Sequence, residues 1–384
     1  MTLGRKRGIG IVAALAVVIC WVAASWISTA AFLLDLGGMT GGIRAWMPVR
    51  THAVTTRDLT VPTRHGPVEA RLFLPDGVPT ARTAIVFPGI HGGGADEPRL
   101  ARFSTRLAAT GITVLTVPLP DLRVFRVTGR STDMIEDATA WMTSAPDLTP
   151  TGRTMLVGIS FAGGLALVAA GRPSLANRLD GVVTVGAHGD LARTLHYLCT
   201  GRLPDGTTRT PHDYGLAVIA LGAVPKLVPA EQAAALEHGI LTYLTASLDE
   251  SPEQRQAKAL LASASAERDA LAEPAHTILR DLIARDVTSL GRVLDPLVDD
   301  LARDPALSPE RSPVTRAPVY AIHGHDDNVI PALETTMLAA DLRARGNGRV
   351  YALVSPALSH VGLDADVSFA DRWQLLRFWH RLID

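Results

Sequence analysis

Thr154-Met155-Leu156-Val157-Gly158-Ile159-Ser160-Phe161-Ala162-Gly163-Gly164 is the stretch on which the fold turns. Residues 154–158 are a short, nearly continuous apolar run, the pattern of a strand buried on both faces. Residues 161–171 are rich in Gly and Ala and predict a helix. Between the two lies Ser160, on a turn too tight to be a loop. A strand that runs straight into a helix brings the two backbones almost into contact. The positions two before and two after the serine therefore have to be small, and Gly158 and Ala162 meet that demand. The same geometry strains the serine backbone and lifts Oγ above the end of the strand. Taken alone, these letters also describe a small-residue turn carrying an idle serine.

Working outward, the same alternation repeats on both sides. Residues 59–61 and 68–74 read as two strands joined by the hairpin signal Arg64-His65-Gly66-Pro67. Apolar strands follow at 83–88, 112–117 and 182–185, separated by helical patterns over 98–110 and 133–143. From 189 to 316 the strand pattern stops, and helical stretches replace it over 230–247, 252–271 and 275–287. Strands return at 318–323 and 349–355, each followed by a helix. Wholly apolar strands alternating with helices predict a mostly parallel sheet covered on both faces. The expected organisation is an α/β core in two parts, 57–188 and 317–384, interrupted by a helical insertion over 189–316.

The chain has 384 residues, of which 47% are hydrophobic and 20% charged, which excludes a disordered or fibrous chain. With 37 Lys and Arg against 38 Asp and Glu, the net charge of −1 offers no electrostatic case for nucleic acid. Two cysteines exclude a disulfide scaffold and a cysteine-based zinc site. Arg5, Lys6 and Arg7 precede an apolar run over 8–34, long enough to cross a bilayer, and the first charge after it is Asp35. The expectation is a transmembrane signal anchor over 8–34 and a juxtamembrane linker over 35–56. The N-terminus would be cytoplasmic and the bulk of the chain outside. Ser28-Thr29-Ala30 offers small residues to a peptidase, in which case the protein would be secreted; a third reading of the run is a buried core helix. Ile19 before Cys20 argues against a lipoprotein box, so Cys20 reads as a small apolar residue of the span.

Three further stretches carry chemistry. Phe87-Pro88-Gly89-Ile90-His91-Gly92-Gly93-Gly94 follows the first core strand, where a Gly-rich loop can aim backbone N–H groups at a developing oxyanion. Ile90 is the first candidate for such a donor and His91 the second, with the N–H of Phe161 as their complement. The loop lacks G-x-G-x-x-G spacing, so a dinucleotide site fits it poorly. His91 and Asp96 form a His-x4-Asp string, a reading that leaves Ser160 unexplained. His323-Gly324-His325-Asp326-Asp327-Asn328-Val329-Ile330-Pro331 ends a strand. Asp327, with Asp326 as the alternative, is placed to orient an imidazole, unless it merely caps the next helix. His360 follows the last strand and has the proton affinity a general base needs. His188, His196 and His323 precede the acid in sequence, and His380 lies deep in the final helix. Serine, acid and histidine thus come in that order, each after a core strand.

With these motifs together, the chain resembles the α/β-hydrolase superfamily from about residue 57 to 384. The elbow around Ser160, the Gly-rich loop and the His323-Gly324-x-x-Asp327-x-x-Ile330-Pro331 stretch carry the resemblance; Ala162 departs mildly from the family's usual glycine. The resemblance implies an eight-stranded-type α/β-hydrolase sheet with a helical cap. It further implies a Ser160–His360–Asp327 triad, an oxyanion hole at Phe161 with Ile90 or His91, an acyl-enzyme, and no metal or organic cofactor. The implied partner is a small-molecule or lipid ester. Thioester, peptide and acyl-transfer chemistry stay open on the same residues, as does a non-catalytic binding protein on this fold. Epoxide hydrolysis and dehalogenation are disfavoured, because they use Asp where Ser160 stands. In the cap, His188 and Asp190 could touch substrate, though Asp190 serves equally as a helix cap. The apolar stretch 216–228 reads either as a pocket wall or as cap core, and is too short to span a bilayer.

Overall fold

Eight strands form one sheet: β1 (Val54–Val61), β2 (Val68–Pro75), β3 (Thr83–Phe87), β4 (Thr113–Thr116), β5 (Thr154–Ile159), β6 (Leu179–Val185), β7 (Val319–Gly324) and β8 (Val350–Ser355). The computed structural model describes residues 23–38, 41, 42, 44, 47, 51–247, 255–358 and 368–383. The strand order is β1-β2-β4-β3-β5-β6-β7-β8. β1 and β2 pair antiparallel through the expected hairpin, and β2 lies antiparallel on β4. All pairs from β4 to β8 are parallel.

Every residue of β3 and β4 is buried, as a sheet covered on both faces requires. The period-two alternation of a strand sorts their side chains into two cores. Ile85, Leu115, Leu156, Val182 and Val319 face one way, towards the helices Gly129–Thr143, Phe161–Ala170 and Ala332–Ala344. Ala84, Val86, Val114, Val157, Val183 and Ile322 face the other, towards Pro98–Ala108 and Phe369–Ile383. β1 begins at Val54, earlier than the sequence suggests, because the hairpin register runs on to Pro75. Val54 to Thr56 are therefore strand and not linker.

The insertion leaves the sheet after β6. Its long helices are Leu191–Thr200, Asp213–Leu227, Ala230–Ala246, Arg255–Asp269, Ala275–Ile283 and Val287–Leu294. Among the described residues its β pairing is a single bridge, Arg202 with Thr208. Where the chain departs and returns, the two segments are tied together. The Arg193 guanidinium donates to Glu334 at 2.6 and 2.8 Å and to Glu310 at 2.8 and 2.7 Å. Glu334, on the core helix Ala332–Ala344, also accepts from the N–H groups of Gly189 (2.8 Å) and Asp190 (3.2 Å). Arg311 pairs with Asp190 at 2.7 Å. Burial pushes the Asp190 carboxyl up, but the Arg193 N–H and the Arg311 guanidinium outweigh it and hold the group below its ordinary value.

The N-terminal segment departs from expectation. Residues 23–36 are helical, but Ala31 is buried and Phe32 and Leu33 belong to the protein's own second core. The Phe32 ring lies 5.3 Å from that of Trp379, and the Trp26 ring stacks on Trp373 at 5.1 Å. Among the described residues no helix is long and apolar enough to cross a membrane. The C-terminal part of the expected span, Thr29 to Leu33, is thus packed on the core. The stretch 8–22 lies outside the described residues.

Candidate active site

Ser160 sits between β5 and the helix Phe161–Ala170 with φ +54° and ψ −131°. A serine in that region carries strain of about 1–3 kcal/mol and persists only where its surroundings dictate it. They do so here. The Ser160 N–H donates to Val185 O on β6 at 2.7 Å, and the Gly163 N–H donates to Ser160 O at 2.8 Å. A Cβ on Gly158 would lie 2.6 Å from Ala162 O and 2.7 Å from Gly163 Cα. The demand for small residues read from the sequence is therefore a backbone-to-backbone contact.

The loop after β3 passes directly over this turn. A Cβ on Gly89 would lie 2.8 Å from Ser160 Cβ and 3.5 Å from its Oγ, so only glycine allows the approach. Ile90 comes next, and its carbonyl accepts from the Tyr214 hydroxyl at 3.5 Å. The Phe161 N–H opens its helix and has no carbonyl within that helix to receive it. His91 is engaged in shaping its own loop: its Nδ1 accepts from the Gly93 N–H at 3.0 Å and its carbonyl from the Gly94 N–H at 2.9 Å.

The loop after β7 separates its two acids. Asp327 is buried, and its Oδ1 accepts from the N–H groups of Val329 (2.8 Å) and Ile330 (3.0 Å). Its Oδ2 lies 3.5 Å from His323 Nε2 and beside Gly186, at the end of β6. His323 is itself fully buried, with Nδ1 2.7 Å from the Thr335 hydroxyl and Nε2 2.7 Å from Ile330 O. The Ile330 carbonyl can only accept, so Nε2 donates to it. Asp326 is exposed and pairs with His325 and Arg209. His360 lies outside the described residues. The chain is described as far as Leu358, whose carbonyl would lie 2.6 Å from a Cβ on Gly324, at the base of the acid loop.

An antiparallel hairpin thus leads into six strands of which the last five pairings are parallel, in the order 1-2-4-3-5-6-7-8. A strained serine follows β5 and a buried acid follows β7. This is the α/β-hydrolase fold. No protein-family model matches the chain, and no curated protein does. Solved structures do resemble it. An esterase from Pyrobaculum calidifontis is 18% identical, covering 86% of this chain and 82% of that one, with a TM-score of 0.46. Brefeldin A esterase, a bacterial homologue of human hormone-sensitive lipase, is 16% identical, covering 92% and 82%, with a TM-score of 0.44. Carboxyl esterase 2 from Tuber melanosporum is 13% identical, covering 86% of each chain, with a TM-score of 0.46. So distant a likeness bears on fold alone.

On this α/β-hydrolase core the cap does more than cover the loops. The Arg209 guanidinium donates to His325 O (2.9 Å), Asp327 O (3.2 Å) and the Asp326 carboxylate (3.1 Å). The His212 N–H (2.9 Å) and the Tyr197 hydroxyl (3.3 Å) both donate to Asn328 O. The acid loop is therefore held from above by the cap. Neither Arg209 nor Tyr197 carried a sequence signal, since both act on backbone carbonyls that no local pattern reveals. Asp190 accepts from the Arg193 N–H and so caps the helix Leu191–Thr200. His188 is buried: its Nε2 lies 2.8 Å from Leu307 O, and its ring fills the space that the missing Cβ of Gly164 leaves. Burial pushes the His188 imidazole below its ordinary value, so it stays neutral. Burial likewise pushes the Cys199 thiol up to about 12, which rules it out as a nucleophile at neutral pH. Among the described residues no cluster of His, Cys, Asp and Glu could hold a metal ion.

Two cavities among the described residues bear on the site. One, of about 130 Å³, lies at the opposite ends of the strands, between Thr83, Asp180 and Trp379, away from Ser160. The other, of about 190 Å³, lies between the cap and Phe161, next to the nucleophile turn. The apolar stretch read as either pocket wall or cap core is both. Leu216, Ala217, Val218, Ile219, Ala220, Leu221, Ala223 and Val224 are packed in the core. Of these Val218 and Ile219 also line the cavity, together with Tyr214, Gly215 and Gly222.

Proposed function

We propose that this protein is a serine hydrolase that cleaves carboxylic esters through an acyl-enzyme. The observation that carries this reading is Ser160 at φ +54° with the Gly89 loop pressed against it. Strain at a non-glycine residue is retained where function needs it, and here it holds the Ser160 hydroxyl at the start of the helix Phe161–Ala170, under the Gly89 loop. Ser160 Oγ attacks the ester carbonyl while His360 takes its proton. The N–H groups of Phe161 and Ile90, with His91 as the second choice for the latter, stabilise the oxyanion. His360 returns the proton to the leaving alkoxide, which departs as an alcohol. Water then attacks the acyl-enzyme, again giving its proton to His360, and the acid leaves as Ser160 recovers its hydrogen. Asp327, fixed by two backbone amides, orients His360. No cofactor takes part in this scheme.

A fluorophosphonate probe is expected to label the folded protein, and Ser160→Ala to abolish the labelling. The same variant should lower turnover of a p-nitrophenyl ester by roughly a thousandfold or more. Folded wild-type protein that neither labels nor turns over would point instead to a hydrolase fold kept for binding.

The reading extends to location. Arg5-Lys6-Arg7 followed by the apolar run from Gly8 supports an N-terminal membrane anchor with the catalytic domain outside the cytoplasm. The full chain is then expected to pellet with membranes and to be extracted by detergent; release by high salt alone would sink the anchor.

A further inference from the structure

The cavity beside Phe161 lies along one face of a cap helix. On the helix Asp213–Leu227, positions 214, 218 and 222 recur at the four-residue spacing that aligns side chains on one face. One end of that stripe is Tyr214, whose hydroxyl touches Ile90 O in the loop over Ser160. The other end is the exposed Gly222, eight residues on and about 12 Å away at helical rise. Phe161 and Phe125 line the end near the serine, and the Phe125 ring lies 6.1 Å from that of Tyr214. Phe125 is held at φ +60°, a conformation a bulky residue adopts only under constraint, so a strained residue lines this cavity. Leu195, Leu198, Val218 and Ile219 form the walls.

The polar groups on this lining are already engaged. The Tyr214 hydroxyl reaches Ile90 O, the Thr128 hydroxyl donates to Asp121, and Arg126 pairs with Glu237 at 3.1 Å. A ligand with charge or hydrogen-bonding groups would have to leave them unpaired in an apolar cavity, which is costly. A neutral hydrocarbon chain meets no such penalty.

We infer that this cavity receives the acyl portion of the substrate, a neutral apolar chain running from Ser160 towards Gly222, and that Gly222 sets how long a chain is accepted. The inference rests on the serine-hydrolase reading for the position of the scissile bond. Gly222 suits a gate. A Cβ there would meet only Leu301 Cδ2, at 3.8 Å, an ordinary contact, so a side chain can enter the mouth without displacing backbone. Gly215, on the same stripe, has no such freedom, because a Cβ there would lie 2.5 Å from Leu198 Cδ2.

The test compares wild type, Gly222→Ala and Gly222→Phe on two ester series. In the first, p-nitrophenyl esters run from acetate to palmitate. In the second, acetate esters carry alcohols of increasing length. Gly222→Phe is expected to lower kcat/KM by about tenfold or more on the longest acyl chain that wild type handles well, since each excluded methylene is worth about that factor. Acetate turnover should stay unchanged, Gly222→Ala should fall between, and the alcohol series should not move. An equal loss on all acyl chains, or a loss that follows the alcohol instead, overturns the inference. Fluorophosphonate labelling is run on each protein to separate the two readings. If wild type does not label, the serine-hydrolase reading fails, and binding of a fluorescent alkyl-chain probe still decides the cavity. Weaker binding to Gly222→Phe than to wild type upholds it; equal binding overturns it.

Discussion

Asp326 and Asp327 are neighbours in the chain with opposite surroundings. From sequence both were candidates for the orienting acid, because both follow the same strand end. The structure gives them different environments. Asp326 has 78% of its side chain in solvent and a guanidinium beside it, whereas Asp327 is buried and accepts two backbone N–H bonds. Only a buried, fixed carboxylate can hold an imidazole in one tautomer and favour its protonated form. Asp327→Asn is therefore expected to lower kcat/KM on p-nitrophenyl acetate by up to about ten-thousandfold, the loss that removal of this charge causes in comparable triads. Asp326→Asn should stay within a few-fold of wild type. Circular dichroism on both variants checks that the fold is intact. A larger loss in Asp326→Asn would reverse the assignment. The residues around Ser160 were more legible, because a tight strand-to-helix turn constrains local sequence: the glycine at 158 is a steric requirement that survives in the letters. His360 shows the opposite case. Its candidacy comes from chain order alone, and it lies outside the described residues.

At the scale of elements, legibility follows the range of the interactions involved. The core strands announced themselves because burial on both faces demands an unbroken apolar run, and β3 and β4 are buried at every residue. β1 was harder. It is an edge strand whose residues from Thr55 to Asp58 are exposed, so its first half looks polar, and only pairing with β2 defines its start. The helical character of the insertion was visible, but the extended strap from Gly201 to His212 was not. That strap matters most to the site, since Arg209 and the His212 N–H hold the acid loop from it. Their partners are the carbonyls of His325, Asp327 and Asn328, more than a hundred residues away, and a carbonyl is the same whatever side chain it carries. Charge pairing across the cap hinge is equally silent in sequence. Arg193, Glu310 and Glu334 come together from three separate elements, and nothing local to any of them foretells it. The cap is thus built into the core at two places, its hinge and the loop that carries Asp327.

For the whole molecule, the N-terminal segment decides how the domain is held. An apolar run for lipid and an apolar run for a protein core are written in the same residues, so length alone favoured a span over 8–34. The structure divides that run. Phe32 and Leu33 join Trp379, Phe378 and Leu375 of the last helix in one cluster with residues of β3, β5 and β6, and Trp26 lies against both Trp373 and His380. The end of the expected anchor is therefore part of the second hydrophobic core, on the face of the sheet that the last helix covers. Two consequences separate this arrangement from a helix that merely tethers the domain. Phe32, only 3% exposed, should cost about 3–5 kcal/mol when truncated to Ala, as buried aromatic residues do. Its loss should also leave turnover of a short ester unchanged at low temperature, because no strand end moves. Val293, 52% exposed in the cap, provides the control, and Val293→Ala should be neutral. Thermal unfolding of the detergent-solubilised full chain reads the difference. A midpoint several degrees lower for Phe32→Ala, with kcat preserved, is the expected result. Equal midpoints for the two variants would mean that the segment is a tether and that the second core closes without it.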